Sequence, residues 1–121
     1  MTPILFVASA RHDEARTFYE SVMGFALTGD SPFALEFDAA GTMLRVQKVG
    51  TFEPQPFTAI GWKVTDIAAM RDELAARGAR FVRYEFLEQD ERDVWTAPDG
   101  AQVCWLSDPD GNMLSLTQLP A

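Results

Sequence analysis

The chain has 121 residues, 47% of them hydrophobic, and a formal net charge of −8. That length suits one domain or two very small ones with a real core. The acidic balance argues against nucleic acid and anionic membrane as partners, since both need clustered Lys and Arg, and no apolar run approaches the roughly 18 residues of a membrane helix.

Residues 1–10 lack the basic stretch and long apolar stretch of a secretory signal. Residues 2–8 form a short apolar run and read as a strand. Residues 13–23 read as a helix, because Ala15, Phe18, Tyr19, Val22 and Met23 recur at helical spacing as one buried stripe. Gly24 follows as a stop. Three short strands are expected next, over 25–28, 33–37 and Thr42–Lys48. Gly29 to Pro32 and Ala39 to Gly41 separate them.

Residues 49–56 hold Gly50, Pro54 and Pro56 without any period and read as a linker. The pattern then restarts. Residues 58–64 form a strand. Asp66 is placed to cap a helix running to Arg77, with Ile67, Met70 and Leu74 on one face and Gly78 as its stop. Arg80–Val82 begins another strand. Residues 83–92, rich in acids, read as a solvated loop or an acidic lip for a basic ligand. Strands are expected over 93–96, 101–107 and Met113–Gln118. A tight turn, Asp108-Pro109-Asp110-Gly111-Asn112, joins the last two.

The order is thus strand, helix and three strands, stated twice, as a module over 2–48 and a module over 57–119. Each is too small to hold a core alone. The two are expected to act as one domain over 1–121, with curved sheets around a shared pocket.

Several stretches carry a resemblance to a known family. They are Phe18 and Tyr19 followed by Met23, Gly24 and Phe25; Gly61 to Asp66; Trp95 to Gly100; and Asp108 to Leu116. In this order and spacing they resemble the glyoxalase / bleomycin resistance / extradiol dioxygenase group, the vicinal oxygen chelate (VOC) superfamily. The resemblance implies an α+β fold of two βαβββ modules. Their curved mixed sheets would surround a shared cleft, with the helices outside. It also implies a homodimer. Enzymes of the group hold a divalent metal in the cleft through His, Glu or Gln, and the metal grips two neighbouring oxygens of a substrate.

Counted residue by residue, the family's ligand positions fall on Ile4, Arg45, Ala59 and Ser115. Two of these lack donor atoms, one is a cation, and a lone serine is a poor ligand. Such a metal enzyme needs clustered imidazoles and carboxylates, and His12 is the only histidine. No metal and no cofactor are therefore expected. His12 reads as a solvent-exposed residue near the helix start. Cys104 reads as a small core residue with no adjacent base. As the only cysteine it excludes an intramolecular disulfide, which fits a reducing cytoplasm.

Strand alternation extends the expected cleft lining. Met43, Arg45 and Gln47 share a face, Met113, Ser115 and Thr117 share another, and Phe6 and Gly61 follow Ile4 and Ala59. Trp62 should lie beneath its helix. Trp95 and Trp105 are candidate stacking walls, although tryptophan in a strand is more often core. This mixed lining, apolar walls with an arginine, an amide and two hydroxyls, suits an aromatic or apolar molecule with a carboxylate or other oxygen near Arg45. The alternative is that Arg45 pairs with a local carboxylate and closes the pocket. Three functions compete: a metal-independent protein that binds or sequesters a drug-like small molecule, a VOC-type enzyme with a non-standard site, and a non-catalytic structural or regulatory module. Filling of the pocket by Phe6, Met43 and Met113 would exclude the first.

Overall fold

The computed structural model describes residues 1–121. The chain divides into two compact units. One comprises Met1–Gln55 with Asp108–Asn112, the other Pro56–Ser107 with Met113–Ala121. No helix is long and apolar enough to cross a membrane. The fold is α+β, with two mixed sheets.

In the first unit, β1 (Ile4–Ser9), β2 (Ala26–Asp30), β3 (Ala34–Ala39) and β4 (Thr42–Lys48) lie in the order β1-β4-β3-β2. β1 runs parallel to β4, and the other pairs are antiparallel. Helix α1 (His12–Thr17) passes directly into a π-helical turn at Phe18–Val22. Asp13 and Glu14 stand in the first turn, where the helix dipole favours acids. Of the expected stripe, Ala15, Phe18, Tyr19 and Met23 are buried and Val22 is half-buried, and the Tyr19 ring lies 5.7 Å from that of Phe37. Gly24 ends the helix at φ 77°, and the Phe25 amide donates back to the Tyr19 carbonyl. Leu35, Phe37, Leu44 and Val46 complete this buried side of the sheet.

Two strands sit slightly later than their propensities place them. β2 runs through Gly29 instead of stopping before it, because a bulge between Leu27 and Gly29 lets the ladder continue to Asp30. β3 begins at Ala34, leaving Phe33 exposed in the turn.

The second unit holds β5 (Thr58–Lys63), α2 (Ile67–Ala76), β6 (Arg80–Val82), β7 (Trp95–Thr96), β8 (Gln102–Ser107) and β9 (Met113–Gln118). The sheet order is β5-β9-β8-β6, with β7 also paired to β8. Asp66 caps α2 as expected, its Oδ1 accepting from the Ala69 amide at 3.1 Å. Ile67 and Leu74 are buried, as are Ile60, Cys104, Leu106, Leu114 and Leu116 of the sheet.

In the stretch expected as a solvated loop over 83–92, Glu85, Glu88, Asp90 and Glu91 are exposed, and the backbone is in addition anchored from within. Gln89 Nε2 donates to the carbonyls of Val82 and Asp93, and its Oε1 accepts from the Tyr84 amide. Arg83 donates to the carbonyls of Gln89 and Asp90 and to Asp93 Oδ1 at 2.7 Å. Asp93 is buried at φ 64°, so the expected strand over 93–96 shrinks to Trp95–Thr96.

Candidate functional site

Strand parity gives each sheet a second face. In the first unit, Phe6 registers with Arg45 and Arg45 with Glu36. On either side stand the rows Ile4–Met43–Asp38 and Ala8–Gln47–Ala34. The buried side of this sheet is the one that carries Tyr19 and Phe37. This opposite face keeps large apolar groups uncovered: Ile4 is 44%, Phe6 50% and Met43 38% exposed.

Arg45 lies in the middle of that face, half-buried, and its Nε is shielded from solvent with no hydrogen-bond partner. An orphaned guanidinium nitrogen at such a depth is uncommon, because burying it unpaired costs free energy. Its cross-strand neighbour Glu36 does not close the gap. The Glu36 carboxylate leans over Gly29, where an added Cβ would stand 3.2 Å from its Oε1. Gly29 thus gives Glu36 room away from Arg45.

In the second unit, Gly61, Ser115, Trp105 and Val82 form one row, and Lys63, Thr117, Val103 and Trp95 are spread along the next. Ser115 is buried, and its Oγ lies over Gly61, only 2.5 Å from where a Cβ would be. Trp105 Nε1 donates to Thr58 Oγ1 at 3.2 Å. Its ring stands 6.2 Å from that of Trp95 and meets Tyr84 edge-on at 5.4 Å, and Phe86 follows at 5.3 Å from Tyr84. Trp95 and Trp105 therefore belong to a half-exposed aromatic row, not to the core that strand tryptophans usually join. Trp62 alternates to the other side, beside Leu116 and Ile60.

The two units agree in register. Phe6, two residues after Ile4, pairs with Arg45, and Gly61, two residues after Ala59, pairs with Ser115. Ala59 itself falls in a bulge between Thr58 and Ile60. These positions offer a guanidinium and a hydroxyl. No group of three or more His, Cys, Asp or Glu comes together to hold an ion. The donor set does not fit a divalent metal of the family's kind.

His12 is not a free surface residue. It is half-buried, with Nε2 3.1 Å from the Val49 carbonyl oxygen, because the chain leaving β4 runs past the start of α1. Cys104 is fully buried on the helix side of its sheet. Burial pushes its thiol up to about 12, so it is no nucleophile at neutral pH.

Glu36 and Asp38 escaped the reading of the sequence. Both reach this face by β3 parity, which is fixed only by the register of β3 with Arg45 and Met43. Tyr84 and Phe86 were hidden in a stretch whose acids dominated its appearance.

The profile of the Glyoxalase/Bleomycin resistance protein/Dioxygenase superfamily matches residues 4–116. No curated protein sequence matches significantly. A glyoxalase/bleomycin resistance protein/dioxygenase from Alicyclobacillus acidocaldarius superposes with a TM-score of 0.76 at 19% identity, covering 100% of this chain and 92% of that one. A superfamily member from Sphaerobacter thermophilus gives 0.75 at 22%, covering 98% and 96%. A glyoxalase-related enzyme from Fulvimarina pelagi gives 0.74 at 17%, covering 99% and 88%. At these identities the likeness speaks for the fold. With the profile spanning nearly the whole chain, the protein belongs to the Glyoxalase/Bleomycin resistance protein/Dioxygenase superfamily.

Proposed function

We propose that this chain is a metal-independent binding or sequestering protein for a small apolar or aromatic molecule that carries an oxygen anion. The observation that carries this reading is the unpartnered, shielded Nε of Arg45 between exposed Phe6 and Met43. A carboxylate or other oxyanion supplies the missing acceptor, and the planar guanidinium holds it in a fixed orientation. The apolar body lies on Phe6, Ile4 and Met43, and the Gln47 amide serves a further polar group. The first two of these side chains are not folded down to fill their own face, which speaks against a purely structural module. On the second sheet, Met113, Ser115, Trp95 and Trp105 take the same role, with rings and one hydroxyl as recognition groups.

A second reading, an enzyme with a non-standard site, draws on one observation. Glu36 is the register neighbour of Arg45, so a carboxylate that now leans over Gly29 needs only to swing across the strand to serve as a base beside the guanidinium. The chain is also proposed to work in the cytoplasm as a homodimer. Light scattering behind a sizing column tests the assembly.

Naphthalene-2-carboxylate, its neutral amide and a set of divalent metal salts test the binding reading in thermal-shift titrations. The carboxylate is expected to raise Tm, the amide to do less, and Arg45→Met to abolish the difference. Equal effects of acid and amide, or strong stabilisation by a metal alone, overturn it. Slow turnover of an aromatic oxoacid that is lost in Glu36→Gln favours the enzyme.

A further inference from the structure

In the second unit, the anchored loop and β7 enclose an open depression of about 610 Å³. Its apolar lining includes Phe86, Val94 and Trp95, and its acidic lining is Glu88 and Asp90. Phe86 is 79% exposed although it is a large ring. Neither carboxylate has an ion-pair partner. The nearby guanidiniums are committed elsewhere: Arg83 to Asp93, and Arg92 to Asp72 and Glu91. Gln89, which also lines the depression, ties the loop to the backbone of Val82, Tyr84 and Asp93.

We infer that this depression is a second binding site, for a small organic cation with a flat or compact apolar body. Aromatic faces attract a cation through their quadrupole, and alkylated ammonium groups lose little hydration on leaving water. Two unpaired carboxylates beside the rings give the charge that an apolar pocket lacks, and the chain's net charge of −8 adds a favourable long-range field. The volume falls within the range of small-molecule sites. Trp95 is shared with the aromatic row of the second sheet, and what distinguishes the depression from the Arg45 face is charge, carboxylates here against a guanidinium there.

Asp90 has a second task. Its Oδ1 accepts from the amides of Arg92 and Val94, which shapes the loop. Glu88 has no such task and is the carboxylate to change. The probe is benzyltrimethylammonium chloride, with benzyl alcohol and benzoate as neutral and anionic controls, followed by amide and indole NMR shifts on the full chain. The cation is expected to move the Trp95 indole signal and the amides of Phe86, Glu88 and Thr96. Glu88→Gln should weaken it about threefold at low salt, as one exposed carboxylate does, and Glu88→Lys should abolish it. Phe86→Ala, at an exposed site with little effect on folding, should weaken it about fivefold. Equal shifts from all three probes, indifference to Glu88→Lys, or shifts confined to the Arg45 face would overturn the assignment.

Discussion

The Tyr19 hydroxyl donates a 2.7 Å hydrogen bond to Oδ2 of Asp108, a buried pair separated by 89 positions. Asp108 Oδ2 also accepts from Asn112 Nδ2, and its Oδ1 accepts from the amides of Asp110 and Asn112. The turn is held further by Asp110 Oδ1, which accepts from the amides of Ala10 and Arg11, and by Asn112 Nδ2, which donates to the Ala8 carbonyl. The five-residue turn therefore belongs to the first unit, although the strands on either side of it belong to the second.

Tyr19→Phe should lower stability by about 1–2 kcal/mol, because it leaves a buried carboxylate short of one donor. Asp108→Ala should cost more, as it strands the hydroxyl and two turn amides together. Urea unfolding measures both. Burial raises the Tyr19 phenol well above its ordinary value, with the Asp108 charge acting in the same direction. The neutral phenol is the form the folded state prefers, so its contribution is complete below the unfolded value of 10.0 and is lost as pH rises through the folded one. The wild type should lose stability on the alkaline side more steeply than Tyr19→Phe. Parallel alkaline profiles would contradict this.

Asp93 predicts the opposite slope at acid pH. Burial raises its carboxyl, but the hydrogen bonds from Arg71 and Arg83 outweigh burial and hold it below the ordinary carboxylate value of 3.8. Its stabilisation is present above 3.8 and is lost as pH falls through the folded value. Asp93→Asn should cost about 2 kcal/mol at neutral pH, in line with losing charge-assisted bonds, and should flatten the acid limb of the stability profile. An acid limb as steep in Asp93→Asn as in the wild type would show that another group governs it.

Cys104 should be silent to thiol reagents in the folded state. Its thiol is buried and pushed up to about 12, so almost no thiolate exists at pH 8. A disulfide reagent should react over hours with the native protein and within seconds in denaturing urea. Fast native labelling would mean that the second sheet opens locally far more readily than its buried neighbours imply.

Much of this was legible in the chain. The helix stripe from Ala15 to Met23, the Asp66 cap and the bounds of Thr42–Lys48 and Met113–Gln118 follow from periodicity and capping chemistry, which are local. The anchoring of the loop was not legible. Its acids suggest solvation, yet Arg83 and Arg71 are brought to Asp93 only by the fold, and Gln89 fills backbone vacancies that composition cannot reveal. The candidate site was half legible. Parity placed Phe6, Arg45 and Ser115 on faces of their own, but Glu36 needed the register between β3 and β4, and the lean of its carboxylate needed a glycine on a third strand.

Gly61 and Ser115 give the sharpest test of the second sheet's site face. A Cβ at Gly61 would lie 2.5 Å from Ser115 Oγ but 3.8 Å from Ser115 Cβ. Gly61→Ala should therefore cost about 1–3 kcal/mol, since a tightly packed site does not admit an extra methyl group. Ser115→Ala alone should be nearly neutral, because no hydrogen bond ties that hydroxyl. In the double variant the added methyl meets only ordinary van der Waals distance, so most of the Gly61→Ala cost should disappear. A double-mutant cycle by urea unfolding reads this as a coupling comparable to the single cost. Additive effects would mean that Ser115 Oγ turns away from Gly61 at little expense, and that this hydroxyl is free to swing toward a ligand.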